Sequence, residues 1–330
     1  MSEPPAILEL RDLRVSLGGR RHWLRRAVLP VPAVGGVSFS VREGEILGLV
    51  GESGCGKTTL GRTVLGLQRE TSGEIHLDGR LVSSAQPKRA RVERNDIHYV
   101  HQDAAAALDP WWSIGRTLEE GLIIHGGRTA GERRARVREM LAAVGLDESV
   151  LPRYPHELSG GQLRRVTLAR ILVLQPRFII FDEPTSGLDM SVQAMVLNLL
   201  LELRGRLGLT YLFISHDLSV VERFCDRVAI MYLGRIVELA PTGTLFAAPR
   251  HPYTRALLAA IPRLAPEPKR AGRLVQSEPP STACLPAGCA FSNRCPHVKP
   301  ACVSPALENV LDHHVACWRW QELRSDARAA

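Results

Sequence analysis

The sequence predicts an α/β fold built on a mixed, mostly parallel sheet, and three observations carry that reading. Short apolar runs of strand length at 178–181 and 211–214 flank a helical pattern at 191–206. Such strand–helix–strand alternation marks parallel pairing. Residues 45–50 form an apolar run with glycine after it, as a strand buried on both faces does. The next eight residues, GESGCGKT (51–58), are a glycine-rich loop that opens a helix at Lys57.

Taken in order, residues 7–15 alternate and predict a strand. The basic, proline-containing stretch 18–33 predicts a loop or a hairpin extension, and 37–41 a second strand. SGEIHLDGRL (72–81) predicts a strand and a turn. Residues 117–144 carry a helical pattern with Glu and Arg interleaved, and 163–174 predict another helix, ended by Pro176. Residues 228–233 and 235–239 read as two last strands around Gly234. After about Leu245 the composition shifts. Residues 262–305 are rich in proline and hold most of the cysteines, an appendage with little room for a core of its own. No internal repeat or low-complexity tract is present.

The chain has 330 residues, 45% of them apolar, which suffices for one large domain with an appendage. Its net charge of +8 suits anionic partners, such as nucleotides, nucleic acid or acidic lipid headgroups, without choosing among them. No apolar stretch reaches the roughly 18 residues of a membrane span. The first residues lack the basic-then-apolar layout of a signal peptide. The expectation is a cytoplasmic protein whose seven cysteines are thiols or metal ligands rather than disulfides.

The loop 51–58 has the spacing that cradles phosphate, in the strand-to-helix context such a loop requires. Glycines let successive backbone N–H groups turn toward phosphate oxygens, and the helix N-terminus adds a positive dipole end. Gly51, Ser53, Gly54, Cys55, Gly56, Lys57, Thr58 and Thr59 are the candidate nucleotide-binding residues. Lys57 supplies a charge near the terminal phosphates and Thr58 a hydroxyl for magnesium. Cys55 reads as a small spacer and Cys225 as a buried residue.

Further on, FIIFDEPTSGLD (178–189) is an apolar strand that ends in two adjacent carboxylates. Asp182 sits where it could hold magnesium, and Glu183 where it could polarise an attacking water. His216 follows the strand YLFIS and is placed for the γ-phosphate or that water. Gln102, after an apparent strand at 97–100, is a candidate for the magnesium or the water. The candidate catalytic set is Glu183, His216 and Gln102, with Thr58, Gln102 and Asp182 around magnesium.

The segment LSGGQLRR (158–165) resembles the signature motif of ABC ATPases, and the order of the other motifs is similar to that family's. The resemblance covers about residues 5–245. It implies a P-loop NTPase (RecA-like) core over 1–245, with a helical subdomain at about 103–175, and a C-terminal extension over 246–330. It further implies a head-to-tail dimer with a homologous or identical subunit, two ATP molecules lying between the cradle of one chain and the signature of the other. Ser159, Gly160, Gly161 and Gln162 would supply a second anion nest at a helix N-terminus, and Asp189 would communicate across the interface. The family stacks adenine on an aromatic residue just after the first strand. Leu17 holds that place here, with Trp23 nearby.

Cys289, Cys295, Cys302 and Cys317 are separated by five, six and fourteen residues. Spacing alone leaves zinc, an iron–sulfur cluster and no metal open, since zinc pairs are usually closer in sequence. HPYTRALLAAIP (251–262) and the GCAFSNRCP segment resemble the C-terminal extension of the dipeptide/oligopeptide importer ATPases, a branch that includes nickel importers. The resemblance implies a 4Fe–4S cluster on Cys289, Cys295, Cys302 and Cys317, with zinc as the alternative and Cys284 a bystander. His297, His313 and His314 read as surface residues.

The expected function is ATP hydrolysis that energises import of di- and oligopeptides through two separate membrane permease subunits. An extracytoplasmic solute-binding protein would take part indirectly, and the chain would sit peripherally on the cytoplasmic face of the inner membrane. Trp111 and Trp112, with residues 154–157, are candidates for permease contact, against a core role for both tryptophans. An importer of nickel or another small solute is the alternative. A nucleic-acid- or ribosome-associated ATPase fits less well, because the chain has one cradle and no heptads. A nucleotide sensor without turnover is opposed by Glu183.

Overall fold

The computed structural model describes residues 5–18, 30–82, 96–101, 108–261, 286, 288–303, 305–310 and 312–323. Their strands are β1 (Ala6–Leu17), β2 (Val31–Arg42), β3 (Ile46–Val50), β4 (Ser72–Leu77), β5 (Arg80–Leu81) and β6 (Ile97–Val100). There follow β7 (Phe178–Asp182), β8 (Thr210–Ser215), β9 (Arg227–Tyr232), β10 (Arg235–Pro241), β11 (Glu308–Val310) and β12 (His313–Val315). The helices are α1 (Lys57–Leu65), α2 (Ile114–His125), α3 (Ala130–Ala143), α4 (Gly160–Leu172), α5 (Met190–Leu207), α6 (Leu218–Phe224), α7 (Thr242–Ala247) and α8 (Pro252–Ala259). The chain divides into two compact units, Met1–Val92 with Phe213–Ala330, and Glu93–Leu212.

In the first unit, β1 pairs antiparallel with β2 and β4, and β4 continues into β5. Leu17 faces Val31, so β1 and β2 bracket the basic stretch as a hairpin does, although 19–29 lie outside the described residues. Besides Ile7, the buried positions of β1 are Leu8, Leu10, Leu13 and Val15, whose alternation switches from even to odd at midstrand. A register shift between Leu10 and Leu13, with Asp12 at φ 43°, inserts the extra residue that keeps both pairs facing inward. A second sheet places β3 parallel to β9, with β9, β10, β12 and β11 following in antiparallel steps. All five residues of β3 are buried, as its unbroken apolar run predicts.

In the second unit, β6 runs parallel to β7 in the register Tyr99↔Ile180. Helices α2, α3 and α4 pack on one another, and the Arg170–Glu120 ion pair at 2.8 Å links α4 to α2. Arg136 of α3 donates to the carbonyls of Leu172 and Val173 at 2.9 and 3.3 Å, placing a cation at the negative C-terminal end of the α4 dipole. The charged stretch 117–144, read from sequence as one helical pattern, is two helices. Gly126 and Gly127 sit at φ 69° and 79°, which ends α2. Thr129 then restarts the chain through a capping box with Glu132.

One sequence expectation is corrected by burial. His313 is 1% exposed rather than a surface residue, and His314 is half-buried, whereas His297 is exposed. The reason is Glu238, a fully buried carboxylate on β10. It accepts from His313 Nε2 at 2.6 Å and from the backbone N–H groups of Arg250 and His251 at 2.7 and 2.9 Å. Burial alone pushes the Glu238 carboxyl up, but these donors outweigh it and hold it below the ordinary range. His251 is buried too, and burial lowers its pKa to about 4 despite the attraction of Glu238. Its Nδ1 accepts from the Tyr253 N–H at 3.1 Å, so the ring is neutral in the folded protein at pH 7.

Both groups bind more protons unfolded than folded as the pH falls. His251 therefore costs stability from about pH 6.5 down toward pH 4, and Glu238 below its ordinary carboxylate range. Between pH 6.5 and 5 the loss due to His251 amounts to about 2 kcal/mol. Denaturant unfolding of the wild type against His251→Asn, which keeps an acceptor for Tyr253, is expected to show a flatter pH dependence in the variant. Equal slopes between pH 6.5 and 5 would refute the assignment.

Candidate functional site

The glycine-rich loop lies in the first unit, between the end of β3 and the start of α1. Two of its glycines are fixed by contact. A Cβ on Gly51 would lie 2.1 Å from the Met231 carbonyl oxygen. One on Gly56, at φ 108°, would lie 2.3 Å from that of Ala33. The Gly234 N–H donates to the Cys55 carbonyl at 2.8 Å, which braces the loop from the β9–β10 turn. Cys55 is buried, as expected of a spacer, and burial raises its thiol pKa. Ser53 and Gly54 are exposed at the loop's crest.

Side chains cap α2, α3, α4 and α5 (Ser113, Thr129, Ser159 and Asp189) but none caps α1. An anion at the loop can take that role, because the first turn of a helix offers N–H groups and a positive dipole end. Lys57 is 5% exposed and its ammonium donates to the Gly51 and Glu52 carbonyls at 2.6 and 3.0 Å. The positive charge is thus held over the loop by acceptors that phosphate oxygens can replace. Thr58 and Thr59 follow in the first turn, both partly exposed. His216, in the same unit, is exposed just after β8.

The acidic pair belongs to the second unit. Asp182 ends β7, is 8% exposed, and accepts from the Tyr99 hydroxyl at 2.5 Å. Glu183 follows at φ 52°, a left-handed conformation that costs a residue with a Cβ roughly 1 to 3 kcal/mol. Strain of that kind concentrates where a side chain must be aimed for chemistry. Asp189 caps α5, accepting from the Ser191 hydroxyl and the N–H groups of Ser191 and Val192. The Ser191 hydroxyl foremost, with those N–H groups, keeps its carboxyl below the ordinary range.

The signature segment is in the second unit as well. Ser159 accepts from the Gln162 N–H at 3.3 Å, and Gln162 Oε1 accepts from the Ser159 N–H at 3.0 Å. Ser159, Gly160 and Gly161 are exposed, and a Cβ on either glycine would meet open space. Packing within the chain therefore does not require glycine there. A hydroxyl that accepts one bond still has its proton to donate. Gln102, Trp23 and Cys284 lie outside the described residues. Leu17 is 38% exposed and Trp111 86% exposed, so Trp111 is not core. Trp112 is half-buried beneath the Arg116 guanidinium, 3.8 Å above its ring.

Cys289, Cys295, Cys302 and Cys317 line one cavity in the first unit, walled by Pro252, Phe291, Trp318 and Leu323. Burial raises the thiols of Cys289 and Cys295, and pushes that of Cys317 up to about 11. The Cys289 N–H donates to the Cys302 carbonyl at 3.1 Å, which joins two of the four by backbone. Among the described residues no group of three or more His, Cys, Asp or Glu side chains stands ready to hold a single metal ion.

Sequence reasoning missed Tyr99 beside Asp182 and two partners of the loop. The Tyr253 hydroxyl accepts from the Glu52 N–H at 3.2 Å, and Arg294 pairs with the Glu52 carboxylate while also reaching the Tyr232 hydroxyl. Partners up to 242 residues apart leave no periodic trace in a sequence.

The family model described as ABC transporter matches residues 34–186, and that described as oligopeptide/dipeptide transporter, C-terminal region, matches 237–302. A putative peptide import ATP-binding protein of Brucella ovis is 47% identical over 322 residues, 97% of this chain and 99% of that one. The oligopeptide transport ATP-binding proteins AppF of Bacillus subtilis and OppF of Escherichia coli are 46% and 42% identical, each over 94% of this chain and 96% and 95% of their own. Among solved structures, cbiO1 from Clostridium perfringens, part of the ABC transporter complex cbiONQ, is similar with TM-score 0.64 and 28% identity over 74% of this chain and 92% of its own. A dimeric post-hydrolysis state of the ATP-binding cassette MJ0796, bound to ADP and Pi, has TM-score 0.61 and 27% identity over 71% of this chain and 98% of its own. No described helix is long and apolar enough to cross a membrane.

The contact of Gly51 with a neighbouring backbone gives a direct test. Gly51→Ala is expected to lower stability by about 1 to 3 kcal/mol in urea denaturation, because backbone rather than a flexible side chain must yield. Gly54→Ala, with open space around its Cβ but φ 77°, is expected to cost about 1 kcal/mol. A Gly51→Ala protein as stable as wild type would show that the loop is not clamped as described.

Proposed function

Because the chain belongs to the ABC transporter family, in the branch of oligopeptide and dipeptide transport ATP-binding proteins, we propose that its ATP hydrolysis drives import of di- and oligopeptides through two separate membrane permease subunits. The observation that carries the mechanism is the clamped loop, with the Lys57 ammonium held above carbonyls that a phosphate can replace. The peptide assignment rests on the relatives' names and the C-terminal match. The subunit would lie peripherally at the cytoplasmic face of the inner membrane, with a solute-binding protein acting from the other side. Trp111, apolar and exposed, suits a permease contact.

In this reading the loop residues Gly51, Ser53, Gly54, Cys55, Gly56, Lys57, Thr58 and Thr59 bind the phosphates of ATP. Asp182, Thr58 and Gln102 would hold magnesium. The buried carboxylate of Asp182 and the hydroxyl of Thr58 are the hard oxygen donors that ion takes. Magnesium, when bound, neutralises charge on the terminal phosphates. Glu183 orients and polarises the attacking water, and His216 contacts the γ-phosphate. Ser159, Gly160, Gly161 and Gln162 of a second copy, identical or homologous, close the far side of the nucleotide in a head-to-tail dimer. The bare glycine surface at α4 supports that role. The two subunits then close only while the γ-phosphate bridges them, and hydrolysis releases them.

The four thiols in one cavity also support a thiolate-bound 4Fe–4S cluster on Cys289, Cys295, Cys302 and Cys317. The donor set is all sulfur, and a cluster holds its ligands farther apart than a single zinc ion does. When bound it would supply a structural cross-link to a segment with little core of its own. Anaerobically purified protein is expected to absorb broadly near about 400 nm and to lose that band in Cys295→Ser. A colourless protein containing stoichiometric zinc would replace the cluster with a zinc site.

The experiment for the main reading is Glu183→Gln. The variant is expected to bind ATP, to accumulate as ATP-bound dimers in gel filtration, and to lose turnover by about 10²- to 10⁴-fold. Turnover at the wild-type rate would remove Glu183 from the mechanism.

A further inference from the structure

The cysteine-lined cavity and the phosphate loop belong to one unit, and two separate arms join them at one residue, Glu52. The first arm is ionic. Arg294 Nη1 and Nη2 donate to the two Glu52 carboxylate oxygens at 2.7 and 2.9 Å. The Arg294 side chain is 4% exposed and that of Glu52 26%. Nη1 also reaches the Tyr232 hydroxyl at 3.4 Å, and the buried Nε has no hydrogen-bond partner among the described residues. The guanidinium therefore depends on Glu52 for its neutralisation. Arg294 ends the short helical turn Ser292–Arg294, between Cys289 and Cys295.

The second arm is aromatic. Phe291, one residue before that turn, is 1% exposed and forms a wall of the cysteine cavity. It packs on Tyr253 at 5.4 Å and edge-on to Tyr232 at 5.3 Å, while those two tyrosines lie 4.6 Å apart. The Tyr253 hydroxyl accepts the Glu52 N–H, so the ring cluster fixes the loop backbone at the residue whose carbonyl receives Lys57.

We propose that Arg294 is a positioning residue for the phosphate loop, acting through Glu52 and helped by Tyr253, so that the pairing of Arg294 with Glu52 sets the affinity for nucleotide. The electrostatic reason is plain. Glu52 puts a carboxylate inside a loop that must receive a polyanion. Paired in two prongs with a buried guanidinium, that charge is cancelled and its backbone is pinned. Unpaired, it repels the phosphates and frees the loop. The inference rests on ATP being the ligand of the loop, and it assigns to the chain's last third a part in binding that ligand.

The test uses the full-length chain with a fluorescent ATP analogue and magnesium, and turnover in the assembled transporter. Arg294→Gln, shorter and uncharged, is expected to raise the Kd of the analogue and the KM for ATP about tenfold. It should change kcat less than about threefold, since the acidic pair is untouched. Adding Glu52→Gln to that variant removes the stranded carboxylate and should recover most of the affinity. A purely structural arginine would lower the melting temperature without this rescue. Unchanged affinity in a folded Arg294→Gln protein, or a loss that Glu52→Gln leaves in place, overturns the proposal. Should Arg294→Gln not fold, Arg294→Lys keeps the charge but not the two prongs, and about a threefold rise in Kd is expected against none if the idea is wrong. A wild-type chain that binds no nucleotide would instead sink the proposed function.

Discussion

The first unit is organised around a backbone contact. The glycine-rich loop proposed to receive phosphate runs so close to two neighbouring carbonyls, Met231 and Ala33, that no side chain fits between them. Those carbonyls belong to β9 and to β2, so the loop is positioned by strands on both sides of it. Gly234 adds a hydrogen bond from the turn between β9 and β10. A loop so constrained has little ordering entropy left to lose when an anion binds. Lys57 completes the arrangement. Its ammonium is buried, yet the carbonyls of Gly51 and Glu52 satisfy it, so a phosphate exchanges one set of acceptors for a better one.

The same unit keeps its buried charges at the seams between sequence-distant segments. Glu45 pairs with Arg227 at 3.0 Å and joins the residues before β3 to β9. Glu238 gathers donors from residues 250, 251 and 313, and so sews the late strand β12 and the start of α8 to β10. Removing one member of such a set leaves the other buried and unpaired, which costs more than the pair contributes. The consequence is that the described residues after Leu245 are packed into the unit. Phe291, Trp320 and Leu323 are nearly fully buried, and Arg250 stacks 4.4 Å over the Trp320 ring.

How much of this could be read in advance differs by kind of signal. Strands β3, β7 and β8 are apolar runs with every residue buried, and local pattern suffices for them. The loop 51–58 is legible because its chemistry is consecutive in sequence. The break between α2 and α3 was available in Gly126 and Gly127 but was masked by the charged helical pattern on both sides. His313 reads as a surface residue because its burial depends on a carboxylate 75 residues away. The Arg294–Glu52 pair, at 242 residues, is invisible for the same reason, though its arginine lies within the GCAFSNRCP segment noted for its cysteines.

Glu183 shows a third kind of limit, since neither pattern nor composition signals backbone strain. Adjacent residues in a strand point to opposite faces of the sheet. Two neighbouring carboxylates at a strand end would then be sent apart, one to each side. In this chain β7 stops at Asp182, and the left-handed φ of Glu183 breaks the alternation at the next residue. The turn that follows holds the break in place. Ser186 N–H donates to the Glu183 carbonyl at 3.1 Å, and Pro184 and Thr185 are buried beneath it. A conformation costing roughly 1 to 3 kcal/mol persists only where its surroundings impose it. The surroundings here are a turn with Pro184 and Thr185 buried, directly after a fully buried strand, so the backbone conformation of Glu183 is set by the fold.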